Sequence, residues 1–272
     1  MKKLIALLCV LTFVHAEVFE FTENNNTIHF SIGELNFENI DNYVRIKDSN
    51  VGTLLNDGMP ELPVYSTFYQ IQDGMEYNIN YVINDSYILE AINIYPEQSV
   101  EKAISDNNLN KNLNFYSSNE AYPTKNLIVS EKMTMRDIKF MQISLVPFRY
   151  NPSLQQLEVY NDVDIIIEEV GNIAQSSETP ISQSFEDLYD SFLINYERDE
   201  DPLYQQPAIL YIGSSSAINN SYFQDLLQWR KEKGYIVYTA TTSQTGTSTS
   251  SIKNYIQDAY DSWIPKPEFV TL

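Results

Sequence analysis

One cysteine, two histidines and 17 basic residues among 272 positions set the first limits on what this chain can do. The cysteine, Cys9, and one histidine, His15, fall in the stretch Met1–Ala16, where Lys2 and Lys3 precede an apolar run from Leu4 to Val14. That layout is a secretory signal peptide, too short and wrongly flanked for a membrane span, with cleavage expected between Ala16 and Glu17. Cys9 lies inside the apolar run, which argues against lipoprotein-type attachment. Once the signal is removed no cysteine is left, so the remaining chain has neither a disulfide nor a thiol nucleophile. With His29 as its one histidine it cannot build a multi-histidine metal site, and a Ser-His-Asp triad would have to recruit that same residue. A second long apolar run is also missing, so nothing in the sequence anchors the mature chain in a membrane.

Positive charge is the other shortage. Losing Lys2 and Lys3 leaves 15 basic against 37 acidic residues, a net of −22. Such a surface repels phosphate backbones and anionic lipid, which argues against nucleic-acid partners and electrostatic membrane binding. A 43% hydrophobic content excludes wholesale disorder and supports a buried core. A cysteine-free exported chain of this size must rely on that core, which points to bacterial export.

From Val18 to about Val170 the pattern is strand after strand. Val18–Phe21, Thr27–Ile32, Tyr43–Ile46, Val64–Ile71 and Tyr77–Ile83 alternate or are rich in β-branched and aromatic residues, which suits antiparallel sheets with one face inward. Asn56-Asp57-Gly58 and Asp73-Gly74 supply turns. Gln98–Lys125 is polar and Asn-rich and reads as a long excursion. Strands resume at Asn126–Val129 and Asp137–Arg149, and Tyr150-Asn151-Pro152-Ser153 turns the chain into Leu154–Glu168 as a hairpin. Gly171–Pro180 is a Ser/Thr-rich linker. Ser184 is then positioned to cap a helix whose Phe185, Leu188, Tyr189, Phe192, Leu193 and Tyr196 share one face. The charged run Glu197–Pro202 marks a domain boundary.

The last stretch carries a different period. Ala208–Ile212 is a short apolar strand, Asn219, Asn220 or Ser221 caps a helix through Trp229, and Gly234 ends it beside Arg230, Lys231 and Lys233. Tyr235–Ala240 is a second strand and Thr241–Ser250 an exposed polar loop. Ile252, Tyr255, Ile256, Ala259, Tyr260 and Trp263 form a helical stripe, stopped by Pro265 and Pro267, and Phe269–Leu272 starts a third strand. A βαβαβ order predicts a parallel sheet with right-handed crossovers, the start of a doubly wound domain whose ligands sit beyond the carboxyl ends of the strands.

Candidate chemistry is sparse. His29, at an alternating strand position, reads as a surface strand histidine. Gly213-Ser214-Ser215-Ser216 stands where a phosphate-binding turn would, yet lacks the repeated glycines and the lysine of such loops, so it reads as an ordinary βα turn. Glu197, Asp199, Glu200 and Asp201 lack the alternating ligands and turning glycine of a calcium loop and read as a solvated charge run. Asn25, Asn84 and Asn219 begin glycosylation sequons, relevant only to a eukaryotic secretory route.

Pieces distributed along the chain resemble the gingipain family of secreted cysteine peptidases. Ala208–Ile212, Asp225–Gly234, Ile252–Tyr260 and Glu268-Phe269-Val270-Thr271-Leu272 are similar to the opening βαβα unit and next strand of its peptidase domain. Gly58-Met59-Pro60-Glu61-Leu62-Pro63, Pro147–Pro152 with Leu157–Tyr160, and Phe185–Tyr189 with Asn195-Tyr196 are similar to its propeptide. The resemblance implies a signal peptide at 1–16, a β-sandwich-like propeptide at 17–170, a linker with an amphipathic helix at 171–206, and the first part of a caspase-like α/β catalytic domain at 207–272. It further implies a cysteine endopeptidase zymogen whose Cys/His dyad lies beyond Leu272, so that this stretch is inactive alone. Its propeptide would bind, fold and inhibit its own catalytic domain, and the enzyme would act on protein or peptide substrates outside the cell. No cofactor is required, although the resemblance allows a structural calcium with ligands unassigned. Propeptide release in such precursors follows cleavage near the domain junction, and Arg198-Asp199 is the candidate bond. Two alternatives stay open: a cell-surface processing or transpeptidase member of the same family, and a non-enzymatic secreted module for adhesion or carbohydrate binding.

Overall fold

The computed structural model describes residues 18–98, 109–171 and 180–272. The chain divides into two compact units, one of Met1–Met133 with Phe140–Asn172 and one of Thr134–Lys139 with Ile173–Leu272. The expected signal peptide and its Ala16–Glu17 bond lie outside the described residues. Among the described residues no helix is long and apolar enough to cross a membrane.

The first unit is built on strand β12 (Gln156–Gly171), which pairs antiparallel with β2 (Thr27–Ser31), β7 (Met75–Leu89) and β11 (Phe148–Asn151), while β1 (Phe19–Thr22) extends the sheet beyond β2. A second antiparallel sheet runs β5 (Gly52–Thr53), β6 (Pro63–Ile71), β10 (Ile138–Leu145), β8 (Leu127–Val129), with β9 (Met133–Met135) also on β10. A separate hairpin joins β3 (Asn36–Ile40) to β4 (Tyr43–Lys47). Period-two alternation turns Leu157, Val159, Val163, Ile165 and Ile167 of β12 inward, where all five are buried. Phe30 of the first sheet meets Tyr65 of the second edge-on, ring centroids 5.2 Å apart, and Phe21 meets Tyr69 at 5.9 Å. These aromatic residues thus pack between two facing sheets.

Two differences from the sequence expectation have physical causes. Asp137–Arg149 is two strands in different sheets, because Pro147 cannot donate to a ladder and the chain changes sheets there. Asn126 replaces the missing order: its Nδ2 donates to Val146 O at 2.7 Å and Phe148 O at 2.9 Å. The expected turn at Asp73-Gly74 is present, with Gly74 at φ +82°, and it carries the chain from the sheet of β6 to that of β7, partners the sequence does not specify. Strand β3 has little apolar content and is largely exposed, so no core signal announced it.

A short helix, α1 (Leu113–Tyr116), lies in the polar excursion. Among the described residues the other α-helices belong to the second unit, where β13 (Ala208–Gly213) runs parallel between β14 (Ile236–Thr241) and β15 (Phe269–Thr271). Ile209, Tyr211 and Leu227 pack with Phe223 on one side, and Leu210, Ile212, Ala240 and Ala259 pack with Ile252, Ile256 and Trp263 on the other. Opposite faces of the sheet are therefore covered by α4 (Ser221–Glu232) and α6 (Thr249–Ser262). Asn220 caps α4, accepting from Tyr222 N at 3.0 Å. The expected exposed loop at Thr241–Ser250 instead holds a short helix, α5 (Thr242–Thr245), whose Thr241 and Gln244 form a capping box and whose Thr245 is buried. Residues 134–139 belong to this unit. The Arg136 side chain, 5% exposed, lies between the rings of Phe185 and Tyr260 and donates to Pro267 O at 3.2 Å. Asp137 forms an ion pair with Arg136, Oδ2 to Nε 3.1 Å, and accepts a hydrogen bond from Lys266 Nζ at 3.4 Å.

Candidate functional site

Within the second unit, the segment that leads into β13 is organised by α2 (Gln183–Phe192). Its N-cap is Ser182, fully buried, rather than Ser184, which lies inside the first turn and donates to Glu268 Oε2 at 3.2 Å. The apolar stripe works as expected at Tyr189, fully buried against Phe185 and Tyr196, and at Leu193, 4% exposed. Burial and the nearby Asp137 push the Tyr189 hydroxyl up to about 12. Asp187 and Asp190, three residues apart, share the helix's outer face.

After Leu193 the chain doubles back over that face. Arg198 Nη2 donates to Asp187 Oδ1 at 2.8 Å and to Asp190 Oδ2 at 3.0 Å, and Nη1 stands 3.9 Å from Glu186 Oε2. These bonds raise the guanidinium above its ordinary range. Glu186 is itself buried, and its Oε2 accepts a short hydrogen bond from the Tyr204 hydroxyl, which raises that hydroxyl in turn. Ile181 N donates to Leu203 O at 2.8 Å and Gln205 N to Ile181 O at 2.9 Å, so residues 181–205 form a loop closed at its base. Within it residues Glu197–Glu200 are exposed, and among the hydrogen bonds of the described residues the only one inside the acidic run is Asp201 N to Asp199 Oδ1 at 3.2 Å. Arg198 is also the sole Lys or Arg between Arg149 and Arg230.

The structure therefore places Arg198-Asp199 on an exposed stretch while engaging the arginine side chain, which the sequence alone left free. Glu186, Asp187, Asp190 and Tyr204 went unrecognised. The available signal was two aspartates at i, i+3 on the polar face of a helix followed by a lone arginine.

Other candidates resolve into structural roles. His29 faces Asp164 across β2 and β12, its Nδ1 2.9 Å from Asp164 Oδ1 and 3.7 Å from Asp162 Oδ1. Asn84 Nδ2 donates to Asp162 Oδ1 and Asp164 Oδ2, both at 2.9 Å. The pairing skips Asn84 in β7 and Asn161 in β12, matching bulges that bring these polar groups together. The hydrogen bond to Asp164 raises the imidazole, while donation from His29 and Asn84 lowers the Asp164 carboxyl. His29, Asp162 and Asp164 form the one converging set of His, Asp or Glu donors among the described residues. Each carboxylate already accepts from a neighbouring side chain, so the cluster ties β2, β7 and β12 together through hydrogen bonds. At the end of β13, Ser214 Oγ accepts from Ala217 N at 3.1 Å, capping the one-turn helix α3 (Ser215–Ile218) as an ordinary βα turn does.

The chain matches the family Propeptide_C25 over residues 15–203 and Peptidase family C25 over residues 203–272. Gingipain R1 of Porphyromonas gingivalis is 21% identical over 220 residues, 76% of this chain and 22% of that protein. Gingipain R2 of the same species is 20% identical over 153 residues, 54% of this chain and 21% of that protein. The chain thus spans about a fifth of the length of these curated relatives. Among solved structures, the complex of Porphyromonas gingivalis RgpB pro- and mature domains is similar in fold, with a TM-score of 0.55 at 18% identity. The match covers 66% of this chain and 98% of that one.

Proposed function

Because this chain belongs to the C25 peptidase family, as a gingipain-like propeptide joined to the opening of the peptidase domain, we propose that it is the N-terminal part of a secreted cysteine endopeptidase zymogen. The β-rich unit serves as folding aid and inhibitor of its own peptidase domain, and the chain is exported. The observation that carries this proposal is the order of the two family matches, which meet at residue 203, five positions after the lone basic residue of the junction. Cleavage after Arg198 would separate the parts almost where the families change.

The parallel sheet supports a caspase-like, doubly wound peptidase domain. Strand order β14-β13-β15 means that the chain moves one way from β13 to β14 and back past β13 to β15. In such sheets the reacting groups gather at the carboxyl ends beside that reversal, here near Gly213 and Thr271. A cysteine thiolate attacking a peptide carbonyl, assisted by a histidine, is the chemistry assigned to the full-length enzyme. In this proposal residues 207–272 supply the sheet, and the dyad comes from chain beyond Leu272.

Purified residues 17–272 are expected to cleave no peptide in a thiol-inhibitor-sensitive manner, and to inhibit the mature full-length enzyme when added in trans. Thiol-sensitive cleavage by residues 17–272, or a mature enzyme indifferent to them, would refute the proposal. N-terminal sequencing of the mature enzyme tests the junction, with Asp199 as the expected first residue.

A further inference from the structure

We propose that α2 is a latch on processing: Asp187 and Asp190 hold the Arg198 side chain on the helix and withhold it from the specificity pocket of an arginine-directed peptidase. This inference rests on the reading of Arg198-Asp199 as the processing bond and adds how that bond is guarded. A peptidase takes its substrate as an extended strand with the recognised side chain inserted in a pocket. Here both residues of the bond are exposed, but three features keep that conformation from forming. Arg198 donates to two carboxylates, with a third, the buried Glu186, 3.9 Å behind. Tyr196, two residues before it, packs on the buried Tyr189. Six residues after it, Tyr204 is tied to Glu186, and the backbone pairs at Ile181, Leu203 and Gln205 close the loop. Presenting Arg198 therefore requires breaking both ion pairs and peeling Tyr196 from the helix.

Asp187 is 83% exposed and Asp190 48%, so each pair is individually weak, and the latch is graded rather than absolute. Neutralising both should speed cleavage at Arg198 about three- to tenfold, the factor expected of two exposed pairs. Salt near 1 M, where screening extends over only about 3 Å, should speed the parent protein and leave the double variant unchanged.

The test uses residues 17–272 and the D187N/D190N variant with limiting trypsin, the appearance of Asp199 as a new N-terminus being followed by mass spectrometry. A glutamate-specific peptidase acting at Glu197 and Glu200 runs in parallel, because these side chains lie in the same segment but are not what the latch holds. Faster cleavage after Arg198, with unchanged cleavage after the two glutamates, is the expected result. Equal rates at Arg198 would overturn the latch, and so would equal acceleration at all three positions, which would mean that the substitutions merely loosen the loop. If the full-length enzyme matures elsewhere while trypsin still shows the selective effect, the processing assignment fails and the latch stands.

Discussion

Replacing Asn126 should expose how the first unit manages the passage from one sheet to the other. Its side chain is 5% exposed, and its Nδ2 supplies the hydrogen bonds of the two carbonyls that flank Pro147, at 2.7 and 2.9 Å. Asn126→Ala removes the donor and leaves both acceptors buried. A net hydrogen bond is worth about 1 kcal/mol, and an orphaned buried acceptor costs about 1–3 kcal/mol, so the variant should lose roughly 2–4 kcal/mol. Asn126→Asp should lose at least as much, because it sets a carboxylate against two carbonyl oxygens. Urea unfolding of residues 17–272 measures this with two probes. Trp229 and Trp263 are the only tryptophans and both lie in the second unit, so their fluorescence reports on that unit, whereas far-UV circular dichroism includes the sheets of the first. With a urea slope of about 2 kcal/mol/M, the β-sheet transition should move down by about 1–2 M. A shift below about 0.3 M in Asn126→Ala, or a more stable Asn126→Asp, would refute this account of Asn126.

Two further expectations follow from the geometry. The folded-state pKa of His29 is raised by Asp164, so its contribution is fully present below about pH 6.5 and is lost as pH rises through the raised value. The Asp164 carboxyl is lowered, so its share is present above about pH 4 and is lost on acidification. The stability gap between parent and His29→Gln should therefore be largest near pH 5–6 and shrink by pH 8.5; half-exposure keeps it under about 1 kcal/mol, and a gap that grows with pH would contradict the assignment. Gly246 has φ +80°, and a Cβ there would lie 2.5 Å from Ser251 Oγ and 2.9 Å from Ser251 Cβ. Gly246→Ala should cost the second unit about 1–3 kcal/mol, read as an earlier tryptophan transition, and an unchanged midpoint would show that the turn relaxes freely.

How much could be read in advance depended on how local each determinant was. The α/β unit was legible because a stripe such as Ile252, Tyr255, Ile256 and Ala259 lies within one helix, and its proline stop adjoins it. The strands of the first unit were legible one by one from their alternation, but their partners were not. Phe30 meets Val163 on β12 more than a hundred residues away, and no local pattern encodes that pairing. Ser184 looked like a cap, but burial selected Ser182, two residues earlier. Polar composition hid the helix Thr242–Thr245, whose capping box joins the Gln244 side chain to the Thr241 backbone N–H. At the junction the arginine was visible and its captors were not, because the return of the chain over α2 depends on burying Tyr189 and Leu193.

The position of β12 has a consequence in time. It is the last strand of the first unit along the chain, yet it pairs with β2, β7 and β11. As the chain emerges end first, β2 and β7 must wait for their partner until residues 156–171 arrive, about 7–28 s after β2 at ordinary rates of synthesis. During that wait their ladder groups stand open, and long-range pairing of this kind is slow once it starts. The sheet can then close only shortly before β13 follows.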